Sequence, residues 1–188
     1  MKKHRPLILV LVLLAVLFVL LLQSKFYVLH KNAPLTNSNK SLLTQLALQA
    51  LKSNEVPVAS IMVYNGRVIG QGYNTVLRDT NIGGHAEINA ISNTIKNIGT
   101  QKFNRLNRDS LTLITTFEPC LMCRGAIIEN RIKHVEFIKK KNITHWVKNL
   151  FKSLRYKINK TKINNATLQD SLFLLHPNSP RYKLTILL

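Results

Sequence analysis

His85-Ala86-Glu87 and Pro119-Cys120-Leu121-Met122-Cys123 are the two stretches around which the rest of the chain is organised. Together they offer one imidazole and two thiolates, a donor set that suits Zn²⁺, which is redox-silent and accepts sulfur ligands readily. Three protein ligands leave a fourth tetrahedral position open. We therefore predict a single zinc site with His85, Cys120 and Cys123 as ligands, carried by a scaffold that runs from about Leu42 to Ile138.

Glu87 lies two residues after His85, so its carboxylate can reach the open position while His85 binds the metal. An open position beside a proton carrier indicates catalysis, because structural zinc sites normally have four protein ligands. A lone C-x-x-C can also be a structural zinc site or a redox pair. His134 and His145 are further candidates for a ligand, but neither has motif spacing. We assign Glu87 as the catalytic residue.

The first half of the scaffold has the pattern of a helix followed by a hairpin. Leucines at nearly helical spacing predict a helix capped by Asn39 or Ser41. The strand-like stretches Val58–Tyr64 and Val68–Tyr73 flank Asn65-Gly66, a strong signal for a tight type I′ turn.

The second half alternates helices and strands. Isoleucines three or four residues apart predict a helix over His85–Ile98, which Gly99 ends. A strand over Leu111–Thr116, a helix over Cys120–Asn130 and a strand over Val135–Ile138 follow. Both ligand clusters therefore lie at helix N-termini, where exposed N–H groups favour negative charge. The alternation predicts an α/β fold with a central sheet covered by helices on both faces.

The chain carries a formal net charge of +19, from 27 Lys and Arg against 8 Asp and Glu. Such an excess favours polyanionic partners such as RNA or anionic lipid, although biased base composition of a genome explains it equally well. Both cysteines belong to the predicted zinc site, which excludes a disulfide framework.

Residues Leu7 to Leu22 form an unbroken apolar run, near the short limit for crossing a bilayer core of roughly 30 Å. A cleavable signal peptide is the alternative, but no A-x-A site follows the run. We predict an uncleaved, single-pass transmembrane helix and hence membrane localisation. Cations at positions 2, 3 and 5 oppose those at positions 25, 31 and 40, so charge leaves the orientation open.

The combined motifs resemble the cytidine and deoxycytidylate deaminase superfamily, since H-x-E followed by P-C-x-x-C is typical of zinc-dependent nucleobase deaminases. The resemblance is nearest to bacterial tRNA adenosine deaminases and guanine deaminases, and it covers about half of the chain. It extends to Glu55-Val56-Pro57-Val58, Arg67-Val68-Ile69-Gly70, Gly72-Tyr73-Asn74 and Glu118.

The resemblance implies a three-layer α/β/α sandwich of the cytidine deaminase type with Zn²⁺ as cofactor. It makes Glu87 the proton shuttle and Asn74 a hydrogen-bond partner of the base or its sugar, and it puts the backbone near Ala86 against the bound ring. Without the resemblance, Asn74 would be interpreted as an ordinary turn residue.

The implied function is hydrolytic deamination of a nucleobase amino group, with adenosine to inosine in tRNA as the leading choice. Free guanine, cytosine, a nucleoside or a nucleotide is the alternative substrate. Because such an enzyme needs nucleotides or RNA, the resemblance favours a cytoplasmic catalytic domain. A non-catalytic, membrane-anchored zinc module is the alternative of another class. Asn81-Ile82-Gly83-Gly84 replaces the Asp-Pro-Thr-Ala of the tRNA enzymes, so the motifs leave the substrate open.

The expected organisation is a membrane anchor at residues 1–25, a linker at 26–40, and a zinc deaminase domain at 41–188 with a basic extension from about 139. Basic residues are dense between Arg131 and Lys162. Three interpretations of this segment remain open, namely RNA binding, binding to anionic lipid, and a solvated helix whose aromatic side chains pack on the core. Residues Leu172 to Leu188 carry no motif and either complete the fold or form an interface, such as that of a homodimer.

Overall fold

A computed structural model describes residues 10–19, 34–161, 168, 171 and 172. Two compact units make up the chain, Met1–Lys140 and Lys141–Leu188. Most of the expected linker and most of the expected C-terminal interface, Leu172 to Leu188, lie outside the described residues.

The structure corrects the expectation of a transmembrane helix over Leu7–Leu22. The described part of helix α1 covers residues 10–19. None of the helices within the described residues is long and apolar enough to cross a membrane. The ends of the apolar run, 7–9 and 20–22, lie outside those residues. The predicted anchor and the membrane localisation that rested on it are therefore wrong.

The first unit is built on a four-stranded sheet with strand order β2-β1-β3-β4. The strands are β1 (Ala59–Tyr64), β2 (Arg67–Tyr73), β3 (Leu111–Phe117) and β4 (His134–Lys139). Strand β1 pairs antiparallel with β2 and β3, whereas β3 and β4 are parallel. The sheet is therefore mixed.

Within residues 34–161, five α-helices connect or flank these strands, or follow them in the chain. They are α2 (Asn37–Lys52), α3 (Ala86–Ile98), α4 (Thr100–Arg105), α5 (Leu121–Glu129) and α6 (Ile143–Asn159), with a 3₁₀ turn at Arg108–Ser110. Helix α2 begins earlier than predicted, because the side chain of Thr36, and neither Asn39 nor Ser41, caps it by accepting from the Asn39 N–H. Helix α4 was not predicted.

The hairpin turn has the predicted chemistry. Asn65 and Gly66 have φ values of 49° and 75°, the two left-handed positions that a type I′ turn requires. The turn fixes the register in which Tyr64 pairs with Arg67.

Successive side chains of a strand point to opposite faces of the sheet, and the apolar ones pack into two cores, one on each face. Ala59, Ile61 and Val63 of β1 join Leu43 and Leu46 of helix α2 on one face. On the other face, a second core contains Met62 of β1 with residues of α3, α4 and α5: Ala90, Ile91, Phe103 and Ile127. Helices on both faces confirm the α/β part of the predicted fold.

Two glycines let helix α3 pack very close to edge strand β2. A methyl group added at Gly72 would lie 2.6 Å from the carbonyl oxygen of Ala86, and one at Gly70 would lie 2.9 Å from that of Ala90. Real side chains do not tolerate such distances. This contact fixes the start of α3, and with it His85, against the end of β2.

In the second unit, helix α6 separates basic from apolar residues. Lys148, Lys152 and Arg155 recur four and three residues apart on one side of the helix. A different side carries exposed apolar side chains: Val147, Leu150, Phe151, Leu154 and Ile158.

Candidate active site

The site lies where two helices begin. His85 is the N-cap residue of α3 and Cys120 is the N-cap residue of α5, so both predicted helix starts are confirmed. Neither side chain caps its own helix, which leaves both free to act as ligands. Cys123 and Glu87 follow in the first turns of the same helices, where the helix dipole favours negative charge.

The three predicted ligand atoms form a nearly equilateral triangle. The Nδ1 atom of His85 is 3.6 Å from the Sγ atom of Cys120 and 3.5 Å from that of Cys123. The two sulfur atoms are 3.5 Å apart. The fold therefore brings together residues that are up to 38 positions apart in the chain.

These distances fit a tetrahedral zinc ion. With Zn–S bonds of about 2.3 Å and a Zn–N bond of about 2.0 Å, tetrahedral angles place the sulfurs about 3.8 Å apart and each sulfur about 3.5 Å from the nitrogen. The two thiolates would neutralise the ion's formal charge. The predicted cofactor Zn²⁺ thus fits the chain's own geometry.

The two cysteines hold their protons unequally. The hydrogen bond between their sulfur atoms stabilises a thiolate at Cys120 and lowers its pKa to about 4. The same bond, together with burial and the nearby Glu87 carboxylate, raises the pKa of Cys123. Both must be thiolates to bind zinc, so metal binding has to displace the Cys123 proton.

Glu87 faces the ligand triangle from inside the protein. Its side chain is 4% exposed, and its Oε2 atom accepts a hydrogen bond from the Cys123 thiol at 3.4 Å. Burial raises the pKa of Glu87 above that of an ordinary carboxyl group. A raised pKa suits a group that must take up a proton and give it back near neutral pH.

The two residues predicted to bind substrate contact each other. The Oδ1 atom of Asn74 accepts a hydrogen bond of 3.0 Å from the backbone N–H of Ala86. Ala86 is fully buried, and its N–H is thereby satisfied. The bond uses the side-chain oxygen of Asn74 and not its Nδ2 amide.

Sequence reasoning gave no role to three residues that organise the loop between β2 and α3. The buried Glu55 accepts hydrogen bonds from the N–H groups of Leu77 and Arg78 at 2.5 and 3.0 Å. Asn89 and Thr75 join the two ends of the loop. The one signal available for Asn89 was its place four residues after His85, on the same side of the helix.

Comparison with known families gives a match over residues 37–139 to the cytidine and deoxycytidylate deaminase zinc-binding region. A tRNA-specific adenosine deaminase of Haemophilus influenzae is 42% identical over 94 residues, which are 50% of this chain and 51% of that protein. One of Buchnera aphidicola is 38% identical over 91 residues, 48% of this chain and 57% of that protein. The chain thus spans about half the length of the curated relatives it matches.

Among solved structures, a guanine deaminase from Bacillus subtilis is 28% identical, with a TM-score of 0.50. The similarity covers 70% of this chain and 82% of that one. The predicted resemblance is therefore confirmed. Because the family match extends over more than half of the chain and includes all four residues of the site, the chain belongs to the cytidine and deoxycytidylate deaminase family.

Proposed function

We propose that this protein is a zinc-dependent hydrolase that converts adenosine to inosine in tRNA. The observation that carries the proposal is the ligand triangle of His85, Cys120 and Cys123 with the buried Glu87 carboxyl beside it. The names of the tRNA-specific relatives support the substrate.

When bound, Zn²⁺ would supply Lewis acidity that lowers the pKa of a water molecule. His85, Cys120 and Cys123 would hold the ion, and the buried start of helix α3 keeps His85 in place. Replacing an amino group by an oxygen also requires proton movements, because an amine bound to an aromatic ring is a poor leaving group.

Glu87 carries those protons. Its carboxylate takes one from the attacking water and passes it to the ring nitrogen next to the attacked carbon. It then delivers the second water proton to the departing amine, which leaves as ammonia. One carboxyl group can serve all these transfers because its pKa is raised by burial and its position is fixed by the helix.

Asn74 contributes a hydrogen bond from its Nδ2 amide to the base or its sugar. Its Oδ1 atom, bonded to Ala86, fixes the direction of that amide. Ala86 acts through its backbone, which holds Asn74 and forms the wall beside the ring.

The basic side of α6 supports a polyanionic substrate. Lys148, Lys152 and Arg155 form a row that can neutralise phosphates, and the sequence contains no acidic residue between positions 137 and 161. We propose that this row contacts the tRNA backbone. The homodimer remains a prediction, which sedimentation velocity would check.

Deamination of free guanine is the second candidate, favoured by the likeness to the Bacillus subtilis guanine deaminase. Ammonia release from the full chain loaded with zinc separates the two. The substrates are tRNA, adenosine, guanine, cytosine, cytidine and deoxycytidylate, with a chelator-treated control, and inosine in tRNA is measured by nucleoside mass spectrometry.

Inosine formation in tRNA that falls steeply with salt supports the first proposal. Release from guanine without inosine in tRNA would replace it by the second. Zinc binding without release from any substrate would point to a non-catalytic module.

A further inference from the structure

Asn89 makes an unusual set of hydrogen bonds one helical turn after His85. Its Nδ2 amide lies 2.8 Å from the carbonyl oxygen of Tyr73 and 3.0 Å from the Oγ1 atom of Thr75. A third acceptor, the carbonyl oxygen of Gly84, is 3.4 Å away. One side chain therefore contacts the end of β2, the start of the following loop, and the residue directly before the ligand His85.

The loop ends are also joined without Asn89. The backbone N–H of Thr75 donates to the carbonyl oxygen of Gly84 at 2.7 Å. A methyl group at Gly84 would lie 2.8 Å from the Oγ1 atom of Thr75, so the two ends of the loop are in tight contact. The Gly84 peptide, which leads into His85, is thus held from two sides.

The same helix offers a matched comparison. Asn93, one turn further along α3, donates its Nδ2 amide to the carbonyl oxygen of Gln71 at 3.0 Å. Both asparagines are half-buried and both bind carbonyl groups of edge strand β2. Only the bonds of Asn89 reach the loop that carries the ligand.

We propose that Asn89 is a positioning residue, which orients His85 for zinc by tying the Gly84 peptide to Tyr73 and Thr75. The proposal rests on the zinc centre of the proposed function. Both Asn89 and Asn93 attach α3 to β2. The proposal gives Asn89 a second role, in the geometry of the zinc ligands, which Asn93 does not have.

The test compares Asn89→Ala, Asn89→Asp and Asn93→Ala with the wild-type chain. Asn89→Asp keeps the shape but removes the N–H donors. Co²⁺ serves as the spectroscopic probe, since its visible d–d bands and thiolate charge-transfer bands report tetrahedral sulfur coordination. Zinc affinity is measured by competition with a chelator, and melting temperature is measured without metal.

We expect both Asn89 variants to lose about tenfold or more in metal affinity, the range typical for residues that orient metal-binding histidines. Their Co²⁺ d–d bands should weaken and shift. Asn93→Ala should lower the melting temperature about as much as Asn89→Ala does, but it should keep the wild-type zinc affinity and Co²⁺ spectrum. Should the Asn89 variants fail to fold, Thr75→Val, which removes one acceptor and keeps the backbone bond to Gly84, should show a smaller change of the same kind.

Wild-type affinity and spectrum in a folded Asn89→Asp protein, or in Thr75→Val where that is the variant measured, would overturn the proposal. Equal losses of affinity in the Asn89 and Asn93 variants would also overturn it, because a general loosening of α3 would then suffice. A wild-type chain that fails to give a tetrahedral Co²⁺ spectrum would instead contradict the zinc centre itself.

Discussion

The side chain of Asn74 accepts a hydrogen bond from the backbone N–H of Ala86, 12 residues further along the chain, at 3.0 Å. Ala86 is the first residue of helix α3, and the first N–H groups of a helix have no partner within it. Asn74 therefore caps the helix that carries His85 and Glu87, although it lies outside that helix.

Replacing Asn74 separates this structural role from the proposed substrate contact. Asn74→Ala should reduce the free energy of unfolding by about 1 kcal/mol, as loss of a helix cap does, and should also lower activity. Asn74→Asp keeps the oxygen acceptor but lacks the Nδ2 donor, so we expect nearly wild-type stability with impaired turnover. Urea unfolding and the ammonia assay measure the two effects. Full activity of Asn74→Asp would rule out the amide as a substrate contact.

Removing the Glu87 carboxylate should stop the chemistry and spare the metal. Glu87→Gln should lower kcat by about 10²- to 10⁴-fold, because general acid–base catalysis typically contributes that much. Zinc content, measured by atomic absorption, should stay at one ion per chain, since Glu87 is not among the three ligands. The mechanism would be falsified if the variant turned over at nearly the wild-type rate.

The glycines differ sharply in what they tolerate. Gly72→Ala should destabilise the protein by about 1–3 kcal/mol, the usual cost of overpacking, and should weaken zinc binding because α3 has to move away from β2. Gly125→Ala in helix α5 meets no atom within 4 Å and should stabilise the protein by about 0.5–1 kcal/mol. Thermal and urea unfolding check both signs. Similar effects of the two substitutions would contradict the close contact at Gly72.

Zinc affinity should rise with pH. The pKa of Cys123 is raised, so near neutral pH this thiol is protonated and zinc must displace its proton. The pKa of Cys120 is lowered to about 4, so Cys120 adds a second proton to the release only at acid pH. Isothermal titration in buffers of different ionisation enthalpy counts the protons. We expect the cysteine pair to release about one proton per zinc at pH 7, and no release there would contradict this assignment.

Glu55 should matter for the loop and not for the metal. Glu55→Ala leaves the N–H groups of Leu77 and Arg78 without their acceptor, which typically costs about 1–3 kcal/mol. Glu55→Gln keeps a side-chain oxygen and should recover part of the loss. Hydrogen exchange should show faster exchange at residues 77 and 78 in the alanine variant. Unchanged protection there would show that other contacts hold the loop.

Local patterns predicted those elements that short-range forces decide. The Asn65-Gly66 turn follows from the two left-handed backbone positions that these residues adopt easily. The isoleucine spacing of α3 and Gly99 at its end follow from helix geometry. The short helix α4 escaped prediction because it is held by burial of Phe103 in the core and its six residues are too few to show a period.

The apolar run Leu7–Leu22 was misjudged because hydropathy measures only composition. Whether such a run forms a spanning helix depends on which of its residues are helical, and none of the helices in the described part of the chain is long and apolar enough to cross a membrane.

By itself the sequence determined the chemistry of the centre, because ligand identity depends on residue type and the H-x-E and C-x-x-C spacings place each ligand at a helix start. The tertiary structure alone decided how these parts are held. The contact of Asn74 with Ala86, the bonds of Asn89 across the loop, and the close approach of α3 to Gly70 and Gly72 all join residues from different elements. Such contacts follow from packing and strand order, which no local pattern encodes, and they turn three ligands into a site of fixed geometry.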